Sequence, residues 1–136
     1  KLTFKSKPPV KDKEFKIFQE LEVVVSDFDT MKQILESLGF TAYQIYEKYR
    51  ETFTLNECEL CLDTMPYGNF LEIEGGKKQI RQIADQLGLK WEKRILRSYL
   101  SMFADLKAML NLSFSDVTFE NFKTVDIDFS KYRSVF

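Results

Sequence analysis

From Glu47 to Glu74 the chain reads EKYRETFTLNECELCLDTMPYGNFLEIE, and its apolar and polar positions largely alternate. Lys48, Arg50, Thr52 and Thr54 share one parity, against Tyr49, Phe53 and Leu55 on the other. Glu59, Cys61 and Asp63 oppose Cys58, Leu60 and Leu62; Phe70, Glu72 and Glu74 oppose Leu71 and Ile73. Successive side chains of a strand point to opposite faces. The pattern therefore predicts three short antiparallel strands joined by turns, each with one apolar and one charged face. The charged faces carry both signs, Lys48 and Arg50 first and then Glu59, Asp63, Glu72 and Glu74. Such a mixture suits a metal-bound polyphosphate better than bare nucleic acid.

Elsewhere the periodicity predicts two further strands and three helices. Residues 1–6 alternate, with Thr3 and Lys5 opposite Leu2 and Phe4, and Pro8-Pro9 then opens a turn or loop. A long strand is expected from about Glu14 to Val25. Phe15, Ile17, Leu21, Val23 and Val25 line one face, Lys16, Glu20 and Glu22 the other, and Phe18 and Val24 break the pattern. Asp27 is placed to cap a helix carrying Phe28, Met31, Ile34, Leu35 and Leu38, with Gly39 at its end. That stripe is expected to be core, packed on the apolar face of a sheet. Ile80, Ile83, Ala84 and Leu87 mark a second helix closed by Gly88. A third is expected from about Trp91 to Leu110, with Trp91, Ile95, Tyr99, Phe103, Leu106 and Leu110 on one side. The tail, residues 113–136, has enough Phe and Val to dock on the domain.

Composition narrows the chemistry. The chain has 136 residues, enough for one domain with a real core, and 44% hydrophobic and 30% charged residues are ordinary for a globular protein. A net charge of −1 supplies no basic field for nucleic acid or an anionic membrane, and no apolar run approaches membrane-spanning length. Neither a signal peptide nor an initiator Met is present, and a cytoplasmic protein is expected. Histidine is absent, which excludes His-based triads, His zinc ligands and a His general base. Cys58 and Cys61 have Cys-x-x-Cys spacing, but a strand sends them to opposite faces; reduced cysteines are expected. Lys90, Lys93, Arg94 and Arg97 form a basic run without stacking aromatics, interrupted by Glu92, and are read as a solvated face.

Parity alone leaves two readings of the charged faces. They fit the wet side of an antiparallel sheet with cross-strand ion pairs. They also fit the bore of a closed barrel, where cations grip phosphate oxygens while carboxylates hold a hard metal.

Three runs bear on this choice: Lys48-x-Arg50, Leu62-Asp63, and Gly68-x-Phe70-x-Glu72-x-Glu74. Their order and spacing resemble the second half of the CYTH family, the triphosphate tunnel metalloenzymes that include bacterial class IV adenylyl cyclases and thiamine triphosphatases. Lys5, Glu20 and Glu22 resemble that family's Thr-x-Lys and Glu-x-Glu-Val strands. The run LGLKWEKRILRSYLSMF resembles its C-terminal helices, including the Ser98-Tyr99 pair.

The resemblance implies an α+β fold: an antiparallel β-barrel, the triphosphate tunnel, with flanking helices. It implies triphosphate binding by Lys5, Lys48 and Arg50. Mg²⁺ or Mn²⁺ would be held by Glu22, Glu72 and Glu74, with Glu20 and Glu59 in support. Asp63 would be catalytic, ligating metal or orienting the nucleophile. The substrate would be ATP, thiamine triphosphate or inorganic triphosphate, processed by cyclisation or hydrolysis. The family also opens with a Glu-x-Glu-x-Lys strand that is missing here, and its tunnel has eight strands where this chain offers about five. Residues 1–112 are therefore expected to be the C-terminal part of such a domain, lacking its N-terminal strands. An N-terminal segment or a homodimer would complete it. A non-catalytic polyphosphate-binding or protein-interaction module is the alternative.

Overall fold

The computed structural model describes residues 1–9, 12–126, 128, 129, 131 and 132. They fall into two units, Lys1–Tyr43 and Gln44–Phe136. Residues after 112, among them Phe114, Val117 and Phe122, join the core of the second unit.

In the first unit, β1 (Leu2–Ser6) pairs antiparallel with β2 (Gln19–Val23), with Thr3 opposite Glu22 and Lys5 opposite Glu20. The strand expected from Glu14 is shorter than its pattern. Asp12 Oδ1 accepts the backbone N–H groups of Glu14 (2.8 Å) and Phe15 (2.9 Å), which turns the chain before pairing starts. Helix α1 (Phe28–Ser37) is capped as expected, Asp27 Oδ1 accepting the Thr30 N–H at 2.8 Å. Gly39 follows it at φ +90°, a conformation that suits glycine. The stripe on α1 is not core, however. No residue of α1 is fully buried, and Met31 and Leu35 are only half-buried. A two-stranded ribbon is too small to enclose a helix face.

The second unit is built on a three-stranded meander, β3 (Tyr49–Leu55), β4 (Cys58–Met65) and β5 (Gly68–Glu74), in the order β3-β4-β5. Asn56 and Glu57 join the first two strands with φ of 48° and 62°, the paired positive values of a tight hairpin whose twist matches its strands. This turn sets the register. Arg50 lies opposite Asp63, Thr52 opposite Cys61 and Thr54 opposite Glu59; across the next pair, Glu59 meets Glu74, Cys61 meets Glu72 and Asp63 meets Phe70.

Two cores flank this sheet. On the apolar face, α2 (Lys77–Gln86) brings Ile83 against Cys58 and Leu60, with Leu71, Ile73 and Ile80 around them. Gly75 makes the link from β5 possible, since a Cβ there would stand 2.6 Å from Cys58 Sγ. The second core joins Met65, Tyr67, Phe103, Leu106, Val117 and Phe122. Burial of large side chains such as Phe103 and Leu106 stabilises this core by about 1.5–3 kcal/mol each.

The helix expected from Trp91 to Leu110 is two pieces. A 3-10 turn spans Trp91–Lys93, Arg94 is extended with ψ 145°, and α3 (Tyr99–Leu110) starts anew where Ser98 Oγ accepts the Ser101 N–H at 3.2 Å. Residues beyond α3 tie back to the start of the unit. The Val117 N–H donates to Ile45 O at 2.8 Å, the Glu47 N–H donates to Val117 O at 2.9 Å, and α4 (Phe119–Phe122) follows. Met65 and Phe70 share the parity of Asp63, so α3 packs at one end of the charged face and not over the apolar one. Among the described residues, no helix is long and apolar enough to cross a membrane.

Candidate functional site

Lys48, at the entrance to β3, and Arg50 within it converge on Asp63 of β4. Lys48 Nζ donates to Asp63 Oδ2 at 2.9 Å. Arg50 grips the carboxylate with two nitrogens, Nε to Oδ1 and Nη2 to Oδ2, both at 2.6 Å. The Tyr99 hydroxyl, from the first turn of α3, donates to the same Oδ2 at 2.8 Å. Bidentate guanidinium–carboxylate pairing fixes orientation as well as charge. Among the described residues Asp63 is the buried charged one, 1% exposed, and its cations explain how it stays ionised. Burial alone would raise its pKa. Hydrogen bonds from Arg50, Lys48 and Tyr99 outweigh that and bring it down to about 2. Burial and donation to Asp63 push the Tyr99 hydroxyl well above the ordinary tyrosine range.

Arg50 also reaches β5. Its Nη2 bonds Glu72 Oε2, and its Nη1 lies 3.9 Å from Glu74 Oε1. Its side chain is 29% exposed and that of Lys48 23%, so both cations meet solvent on the charged face while anchored from behind. Glu72 is 28% exposed and Glu74 60%. Cys61, between Thr52 and Glu72 in register, directs its thiol at Glu59 Oε1 across 3.4 Å, and burial raises the thiol's pKa. Both cysteines are free and buried.

The second unit thus gathers Lys48, Arg50, Glu59, Asp63, Glu72 and Glu74 on one sheet face. Lys5, Glu20 and Glu22 lie in the first unit and form their own set. Lys5 pairs with Glu20 at 2.8 Å, and Glu22 accepts from Lys1 Nζ at 2.5 Å and Thr3 Oγ1 at 3.1 Å. The bond from Lys1 is the main cause that lowers the Glu22 pKa. The two arginines of the basic run after α2 are locally engaged. Arg94 Nη1 donates to Trp91 O at 2.9 Å with its guanidinium over the indole, and Arg97 Nη2 donates to Asp105 Oδ2 at 2.5 Å.

Two residues of the site escape a strand-parity reading. Tyr99 lies on a helix 36 positions beyond Asp63, and its pairing with Ser98 and its place on an apolar stripe give no hint of a carboxylate partner. Tyr67, in the β4–β5 turn, donates its hydroxyl to Tyr99 O at 2.8 Å and steadies that end of α3.

Carboxylate oxygens are the donors that Mg²⁺ and Mn²⁺ prefer, and Glu72 and Glu74 offer two from one strand face, with Glu59 opposite Glu74. Among the described residues, no group of three or more acidic or thiol side chains stands close enough to hold a metal by itself. Two carboxylates still fit Mg²⁺, which is commonly bound by one or two carboxylates together with phosphate oxygens and water.

The sequence profile of the CYTH domain matches residues 1–99. A candidate adenylate cyclase of Methanocaldococcus jannaschii is 30% identical over 107 residues, an alignment that covers 71% of this chain and 61% of the relative. No solved structure matches the chain.

Proposed function

The chain belongs to the CYTH domain family, and from that premise we propose that its charged sheet face binds a metal-bound triphosphate and takes part in its cyclisation or hydrolysis. One observation carries the reading: Arg50 and Lys48 are aimed from a buried carboxylate onto the face that also bears Glu72 and Glu74. Cations set beside carboxylates can receive a polyanion and its counter-ion together. ATP is the first substrate to test, because the Methanocaldococcus relative is described as a candidate adenylate cyclase; inorganic and thiamine triphosphate are its competitors.

In this reading Lys48 and Arg50 bind the phosphate oxygens, Arg50 through its fork and Lys48 as a point charge. Glu72 and Glu74 would hold Mg²⁺ or Mn²⁺, which supplies charge neutralisation and polarisation of the phosphoryl group. Asp63 is assigned to hold the two cations, because four hydrogen bonds already occupy its oxygens. A polar tunnel belongs to the same proposal, with Glu59, opposite Glu74 in register, supporting the carboxylates of this face.

The experiment is an assay of phosphate release and of cyclic AMP formation, on ATP, thiamine triphosphate and inorganic triphosphate, with Mg²⁺ and with Mn²⁺. Binding of inorganic triphosphate is measured alongside. Arg50→Ala should weaken that binding by at least tenfold and, because the buried Asp63 loses its bidentate partner, also lower thermal stability in a chain that still folds. Unchanged binding together with a collapse in stability would make Arg50 structural and refute the assignment. Binding without turnover would point to the non-catalytic module.

A further inference from the structure

We infer that Tyr99 is a positioning residue, through which helix α3 sets the aim of Lys48 and Arg50. The inference rests on the triphosphate-binding reading and extends it to a residue outside the strands. The Tyr99 hydroxyl donates to Asp63 Oδ2 at 2.8 Å, an oxygen that also receives Lys48 Nζ at 2.9 Å and Arg50 Nη2 at 2.6 Å. Three donors on one carboxylate oxygen leave that oxygen little room to rotate, and Arg50 Nε holds the other at 2.6 Å. Lys48 Nζ also stands 5.4 Å from the centre of the Tyr99 ring. Tyr99 therefore meets Lys48 twice, through the shared oxygen and through its π face.

Tyr99 itself is well fixed. Its ring packs on Phe70 with centroids 5.0 Å apart. Its carbonyl accepts the buried Tyr67 hydroxyl at 2.8 Å, and Ser98 caps the helix at the residue before it. A side chain held from so many directions transmits the position of α3 to the carboxylate. Without its hydroxyl, Asp63 keeps its cations but loses the donor that comes from outside the sheet. Lys48 and Arg50 then sample more orientations, and a ligand must order them on binding.

The test compares Tyr99→Phe with Ile83→Val, which trims the buried core on the opposite face of the sheet without touching Asp63 or Tyr99. Binding of inorganic triphosphate is measured by calorimetry, thermal stability by melting, and exchange of the Arg50 Nε–H by NMR in the absence of ligand. Tyr99→Phe should raise Kd about tenfold and speed Arg50 Nε–H exchange. Ile83→Val should lower stability comparably but leave Kd near wild type. In a Lys48→Ala background the Tyr99→Phe penalty should shrink, since part of it acts through Lys48. Wild-type affinity in Tyr99→Phe, equal weakening by Ile83→Val, or full additivity with Lys48→Ala would each overturn the role. A wild-type chain that binds no triphosphate overturns the proposed function instead; the NMR comparison then still decides whether Tyr99 orders Arg50.

Discussion

Protonating Asp63 means giving up the charge that Lys48 and Arg50 are arranged around. Its folded pKa of about 2 lies below the ordinary aspartate value of 3.8, so the unfolded chain takes the proton first. The resulting stabilisation is fully present above about pH 4 and is lost as pH falls towards 2, amounting to about 2 kcal/mol at neutral pH. Urea unfolding at pH 7, 4 and 2.5 should follow this course. Asp63→Asn should be less stable at pH 7 by about 2–3 kcal/mol, with a shallower loss between pH 4 and 2, because its amide cannot balance two nearby cations. An acid slope identical to wild type would place the origin of the pH dependence elsewhere.

At the scale of elements, β3 has two unlike sides and an open edge. Its charged side is anchored through Arg50. Its other side leaves Tyr49 70% exposed and Phe53 52% exposed, because α2 covers the apolar face over β4 and β5 only. Among the described residues β3 has β4 as its only strand partner, so one row of its backbone groups is available for pairing. Exposed apolar edge strands promote self-association. Sedimentation of this chain should show association that grows with concentration, and Phe53→Lys should reduce it without changing the fold. A concentration-independent monomer at high loading would count against the edge as an association surface.

Over the whole molecule, opposite charges hold the site together without ligand, and the same pairs couple its ligands. Arg50 joins Asp63 on β4 to Glu72 on β5, so Glu72 engages either the guanidinium or a dication fully, not both. If Glu72 and Glu74 bind Mn²⁺, Arg50 becomes available to phosphate, and each ligand should favour the other by the same factor. Mn²⁺ should tighten triphosphate binding about tenfold by calorimetry, after allowance for the metal–triphosphate complex in solution. Glu72→Gln and Glu74→Gln preserve size and hydrogen bonding and should each abolish most of that gain. Equal Mn²⁺ dependence in wild type and both variants would rule out the metal assignment.

The alternation from Lys48 to Glu74 determined which side chains share a face. Period-two geometry leaves no other choice once the strands form, and the register brings Arg50 to Asp63 and Cys61 to Glu72. Caps at Asp27 and Ser98 were equally local matters, although only the structure revealed that Ser98 begins a new helix and that Asp12 shortens β2's strand. Long-range packing decided the rest. Whether an apolar stripe becomes core depends on what encloses it, so α1 stays open while Phe103 and Leu106 are buried. The partner of Tyr99 was decided the same way. A hydroxyl on a helix reaches a carboxylate on a strand only because α3 docks at the end of the charged face, a placement that no local periodicity encodes.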